Sequence, residues 1–137
     1  MSSGLFQSST IPILEQWVNF AQTRHNVLAG NVANLHTPGY QARDLSVEEF
    51  QTRLKQAIEA RDQQPAARSP GDATASWTGM AAEAAKNPKS ILYHDKSDDS
   101  VEFQVTEMVK NQLQHNLALT ILTSQFRLLQ AAVSERV

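Results

Sequence analysis

Two long stretches of the chain place apolar residues at alternating spacings of three and four, and a region without such order separates them. In residues 10–35, Leu14, Val18, Ala21, His25, Leu28, Val32 and Leu35 fall on one face, widened by Trp17 and Val27. This heptad-like stripe predicts an amphipathic helix. Thr10 is placed to cap it, and Pro12 falls in the first turn, where a missing N–H costs little. Gly30 weakens its last turns by about 1 kcal/mol relative to Ala.

The stronger pattern occupies residues 99–136, with no Gly or Pro from Val101 onward. One stripe runs Val101, Val105, Met108, Gln112, His115, Leu119, Leu122, Phe126, Leu129 and Val133; a second runs Val109, Leu113, Leu117, Ile121 and Leu128. Asp99 and Glu102 have capping-box spacing, and Asp98 adds negative charge where the helix dipole favours it. At 1.5 Å per residue such a helix is roughly 50 Å long. The two terminal helices are expected to pair as a hairpin or coiled coil, with Leu14, Val18, Leu28 and Val32 facing Val105, Met108, Leu119, Leu122 and Phe126. Two stripes are wider than one partner helix covers. Another chain, or a middle helix of the same chain, must cover the rest.

That middle helix is predicted over residues 46–61, opened by the capping-box pair Ser46 and Glu49, with Val47, Phe50, Leu54 and Ile58 on its apolar face. Residues 36–45 read as a turn segment. Residues 62–98 hold three of the five prolines among Ala, Ser and Gln, and read as a flexible Pro/Ala/Ser-rich insertion. Within it, "MAAEAAK" suits a helical turn and "SILYH" a brief extended segment. The fold class is mainly α, in a single unit of 137 residues.

Composition narrows the function. A net charge of −2, with twelve basic residues scattered singly, lacks the basic face of a nucleic-acid binder. The absence of cysteine removes disulfides and thiolate chemistry. The opening "MSSGLFQSSTIPILEQW" has neither basic residues nor an unbroken apolar run, so no cleaved signal peptide is expected, and no segment is long enough to span a membrane. The four histidines lie far apart, and His25 and His115 read as partly buried helix residues with a hydrogen bond. An EF-hand register starting at Asp95 puts Ser100 where Gly is needed and Thr106 where a bidentate Glu is needed. No nucleophile elbow, phosphate loop or zinc-protease motif occurs. No enzyme activity, metal, cofactor or small-molecule substrate is expected.

One stretch asks for more than punctuation. "NVANLHTPGY", residues 31 to 40, carries Asn31 and Asn34 on one side of the last helical turn, where Asn tolerates a left-handed backbone and bonds freed carbonyls. Thr37 is pushed toward extended backbone by Pro38, and Pro38–Gly39 suit the centre of a type II turn. Tyr40 leaves that turn with a fixed direction. By these physics alone, a helix stop and a functional junction are equally served.

The run resembles the N-terminal signature of bacterial flagellar rod and hook proteins, in which Asn-x-x-Asn-x-x-Thr-Pro-Gly-Tyr ends the first helix. The match comprises Asn31, Ala33, Asn34, Thr37, Pro38, Gly39 and Tyr40. The stretch "EMVKNQLQHNLALTILTSQFRLLQAAV" is similar to the terminal helix of that family. The short length looks most like one of the two small proximal rod proteins, the other being the near alternative; longer members carry extra β domains. "DKSDDS" departs from the Asp-Gly-Asn type turn common before the last helix in such chains.

The resemblance implies a structural subunit that leaves through the flagellar type III export apparatus without signal cleavage. It would polymerise in the periplasm with itself and with other rod and basal-body subunits, in support of motility. It also implies that Asn31, Asn34, Pro38, Gly39 and Tyr40 shape a junction docking onto the next subunit. Two rival readings are a secreted WXG-like hairpin, from Trp77 and Gly79 in "SWTG", and a cytoplasmic helical adaptor that binds a client through the same apolar face.

Overall fold

The structure, a computed structural model, describes residues 10–63, 83, 86, 89–90 and 99–135. In chain order these form α1 (Ile11–Asn34), β1 (Arg43–Asp44), α2 (Val47–Gln63), β2 (Lys89–Ser90) and α3 (Asp99–Ser134). The chain is mainly helical, and its two long helices lie where the periodicity predicts them. The turn segment contains β1, and the end of the insertion contributes β2. The two pair antiparallel, Arg43 with Ser90 and Asp44 with Lys89. Glu83 and Lys86, in the stretch that suits a helical turn, have helical backbone. The rest of residues 64–98, including Trp77, Gly79, Asp95 and Asp98, lies outside the described residues.

Helix α1 sits between two neighbours and meets them with different faces. Toward α2 it turns Phe20, which joins Leu45, Phe50 and Leu54 in the buried core, with Ile13, Trp17, Val27, Val47, Ala57 and Ile58 packed around them. Phe20 stacks on Phe50 with centroids 4.1 Å apart, and Trp17 tilts against Phe50 at 5.6 Å. The start of α2 is capped as its sequence predicts, with Glu49 N–H donating to Ser46 Oγ at 3.2 Å. Thr10, by contrast, makes no side-chain cap to α1. Its backbone alone serves there, with Leu14 N–H donating to Thr10 O.

Toward α3 the same helix turns Ala21, Arg24, Leu28 and Asn31, all buried. Asn111 Nδ2 donates to Ala21 O at 2.7 Å, Arg24 reaches Glu107, and Asn31 reaches Gln104. Numbers that rise along α1 fall along α3, so the two helices run antiparallel. The face of α3 toward α1 carries Gln104, Asn111 and Ala118, buried, with Met108 and His115 half-buried between them.

This corrects the expected seam. Leu28 is buried, and Leu14, Val18, Val32, Met108 and Leu122 are half-buried. Val105, Leu119 and Phe126, expected to face α1, are instead 44%, 39% and 47% exposed. The physical reason is that polar side chains one position earlier, Gln104 and Asn111, find hydrogen-bond partners on α1 and turn the helix toward themselves. His25 and His115 are half-buried as expected, but the Nδ1 of each is buried without a hydrogen-bond partner.

Helix α2 does not cover the outer side of α3. None of the described members of the aromatic core comes from α3. Leu113, Leu117 and Leu128 are each more than 60% exposed. No helix among the described residues is long and apolar enough to cross a membrane.

Candidate assembly site

The signature run is built outward from one buried side chain. Asn31 is fully buried and uses its whole hydrogen-bonding capacity. Its Nδ2 donates to Arg43 O at 2.6 Å and to Gln104 Oε1 at 3.0 Å. Its Oδ1 accepts from Tyr40 Oη at 3.0 Å and from Arg43 N–H at 3.1 Å. One amide therefore grips the Arg43 backbone on both sides, holds the Tyr40 ring and touches α3.

Asn34 does a separate, local job at the end of α1. Its Nδ2 donates to Gly30 O at 2.8 Å, and its Oδ1 accepts from the Thr37 hydroxyl at 3.4 Å. Neither Asn is left-handed; among the described residues only Gly39 has positive φ, at +78°. Tyr40 N–H donates to Thr37 O at 3.1 Å, closing a turn with Pro38 and Gly39 at its centre. Ala33, Thr37, Pro38 and Gly39 all face solvent. The seven signature residues thus divide into an inner pair, Asn31 and Tyr40, an end-of-helix brace, Asn34, and an exposed tip.

Two turns before Asn31, Arg24 forms a second node that the stripe pattern passes over. Its Nε and Nη2 donate to the two carboxylate oxygens of Asp44 at 2.8 and 2.6 Å, and Nη2 also donates to Glu107 Oε2 at 2.8 Å. Only 6% of its side chain is exposed. Burial opposes the Arg24 charge, but the Asp44 and Glu107 carboxylates outweigh it and raise the pKa. Glu107 is held below the usual carboxylate range, first by the hydrogen bond from Lys110, against the effect of burial, and further by Arg24. Asn31 and Arg24 together clamp β1: one holds the backbone of Arg43, the other the side chain of Asp44. Through β1 they also hold β2.

Sequence reading singled out Asn31, Ala33, Asn34, Thr37, Pro38, Gly39 and Tyr40 by their spacing. It missed Arg24, Asp44, Gln104, Glu107 and Asn111. A signal for some of these does exist: Arg24 and Asn31, like Gln104 and Asn111, are seven apart and each lies beside an apolar stripe. Among the described residues no cluster of potential metal ligands occurs.

No protein-family model matches the chain. Among curated proteins, the chain is similar to the flagellar basal body rod protein FlgB of Salmonella typhimurium, at 29% identity over 121 residues, covering 82% of this chain and 84% of that protein. FlgB of Escherichia coli is 29% identical over 122 residues with the same coverage. FlgB of Aquifex aeolicus is 46% identical over 35 residues, 26% of this chain and 28% of that protein. The resemblance to rod proteins first read from residues 31 to 40 therefore extends over most of the chain, and the chain is FlgB-like.

Proposed function

We propose that this FlgB-like chain is a structural, non-enzymatic subunit of the proximal rod of a bacterial flagellar basal body. It is exported by the flagellar type III apparatus and polymerises through its terminal helices. The supporting observation is the outer side of α3. Between Lys110 and Arg127 the helix carries no Asp, Glu, Lys or Arg. There Leu113 and Leu117 stand 64% and 62% exposed. A contiguous apolar face of this kind on a folded chain marks a protein contact, and an uncharged stretch of helix suits burial among other helices.

The exposed tip formed by Ala33, Thr37, Pro38 and Gly39 is the natural junction with a neighbouring subunit. Asn31 serves that junction from inside, by holding Tyr40 and Arg43 in place. Tyr40→Ala is accordingly expected to weaken assembly while leaving helix content nearly unchanged, with the junction loosened rather than a surface contact deleted.

Two experiments test the reading. Cells lacking the gene should keep the membrane ring but show no rod, hook or filament by electron microscopy; normal flagella would overturn it. Leu113→Asp with Leu117→Asp should abolish motility while the purified chain keeps its circular dichroism. Normal motility in that variant would remove the outer face of α3 from assembly.

A further inference from the structure

We infer that Arg24, Asn31 and Glu107 set the register of the α1–α3 hairpin and so fix which face of α3 stays free. That this free face serves neighbouring subunits rests on the rod-subunit reading; the register itself does not.

Apolar burial does not select the observed pairing. The stripe containing Val105, Leu119 and Phe126 is more apolar than the face with Gln104, Asn111 and Ala118 that actually meets α1. The two seams share Met108 and His115 and differ by one residue at alternate positions. At about 100° per residue the choice is a rotation of roughly 50°. Heptad-like spacing also makes a slip of seven residues cheap in hydrophobic terms. Such a slip places Ala118 against Ala21 and Asn111 against Asn31, small for polar and amide for amide.

Arg24 distinguishes the registers. It meets Glu107, the only acidic residue of α3 between Glu102 and Glu135. A slip of seven brings Gln114 or Ser100 opposite Arg24, and a slip of one turn brings Lys110, Asn111, Gln104 or Phe103. None is a carboxylate, and Lys110 repels. Asn31 adds a directional restraint. With its Oδ1 taken by Tyr40 and Arg43 and one Nδ2 hydrogen by Arg43 O, α3 must offer an acceptor to the other. This selects the Gln104 face over the Val105 face, while Arg24 and Glu107 resist the slip of seven. Buried polar groups of this kind serve register better than they serve stability.

The absence of cysteine gives a clean readout. Leu14→Cys with Ala118→Cys reports the observed register, since these positions continue the Ala21–Asn111 contact by seven residues on each helix. Ala21→Cys with Ala118→Cys reports the slipped one. In the observed register this second pair is offset by about 10.5 Å along the helices, beyond disulfide reach. In the otherwise unaltered dilute chain, the first intramolecular disulfide should exceed the second by at least about tenfold.

Glu107→Gln makes the observed and slipped partners of Arg24 both glutamine, so this excess should fall by a similar factor. Gln114→Glu supplies a carboxylate at the slipped position without touching any native contact of Arg24, and should also raise the slipped product. If Gln114→Glu leaves the slipped product unchanged in a chain of native helix content, the inference is overturned. Because the assay uses the isolated chain, that failure would leave the rod reading standing. Failure of the rod reading would appear only in cells.

Discussion

The two faces of α1 are built in opposite ways. Toward α2, Trp17 and Phe20 pack on Phe50 and Leu54 in a cluster made only of apolar side chains. Toward α3, Arg24 and Asn31 meet Glu107 and Gln104 through directed hydrogen bonds. The first kind of contact stabilises strongly and tolerates small shifts, because dispersion and burial have little direction. The second contributes less net free energy but forms only when each partner is in place, since an unpaired buried polar group is costly. One helix thus separates holding together from holding in position.

The largest expected effect lies on the aromatic face. Phe50 is 1% exposed and stacked on Phe20, so Phe50→Ala should destabilise the chain by about 3–5 kcal/mol, read from urea unfolding. Phe50→Leu should cost a fraction of that. A loss for Phe50→Ala no greater than that of a surface substitution would mean that α2 is not held by this cluster.

The polar face should respond differently to an apolar residue of similar size. Asn31→Leu leaves Tyr40 Oη, both backbone groups of Arg43 and Gln104 without their partner, for a loss of about 3 kcal/mol. Hydrogen exchange at the Arg43 amide should accelerate, while amides in the middle of α2 should keep the protection allowed by the lower stability. If Asn31→Leu is neutral, the two faces are the same kind of packing and the contrast fails.

Acid should sharpen the contrast with a smaller effect. Glu107 titrates below its ordinary value of 4.5, chiefly because Lys110 bonds its carboxylate, and Arg24 adds to this. In the acid range the unfolded chain therefore binds more protons, and stability rises with pH. The Glu107 contribution is complete above the ordinary carboxylate range and is lost as pH falls through its depressed pKa. Burial of the carboxylate opposes this lowering and keeps the contribution modest. Glu107→Gln should flatten this part of the stability–pH curve. The aromatic cluster has no titratable member and contributes no slope of its own.

The same contrast explains what the sequence reveals. Apolar spacing identifies α1, α2 and α3, and Ser46–Glu49 marks the start of α2 by a rule the structure obeys. Apolar spacing also selects its own kind. It includes Ala21, Leu28, Met108 and His115, but passes from Arg24 to His25, from Asn31 to Val32 and from Gln104 to Val105. Polar residues that earn their burial through hydrogen bonds look like surface residues until their partners are known. Three of those partners here are backbone groups, Arg43 N–H, Arg43 O and Ala21 O, which leave no trace in composition. Asn31 is legible only through the fixed spacing of its run, and that spacing does not tell that Asn31 is buried while Pro38 is exposed.

The smallest effects concern the two glycines of this region, and they should differ in sign. Neither has an atom within 4 Å of where a Cβ would stand, so crowding decides neither case. Gly39 has φ of +78° at the centre of the turn, where an L side chain costs roughly 1–2 kcal/mol. Gly39→Ala should lower stability by about that amount, or shift the exposed tip. Gly30 lies within α1 with ordinary helical backbone, and its carbonyl keeps its bond from Asn34 whatever the side chain. Gly30→Ala should therefore raise stability by about 0.5–1 kcal/mol, because the unfolded chain loses more freedom than the helix does. Thermal unfolding of the two variants reads both signs. A loss at Gly30 would mean that the end of α1 relies on an adjustable backbone, and that the clamp on β1 holds a softer helix than its hydrogen bonds imply.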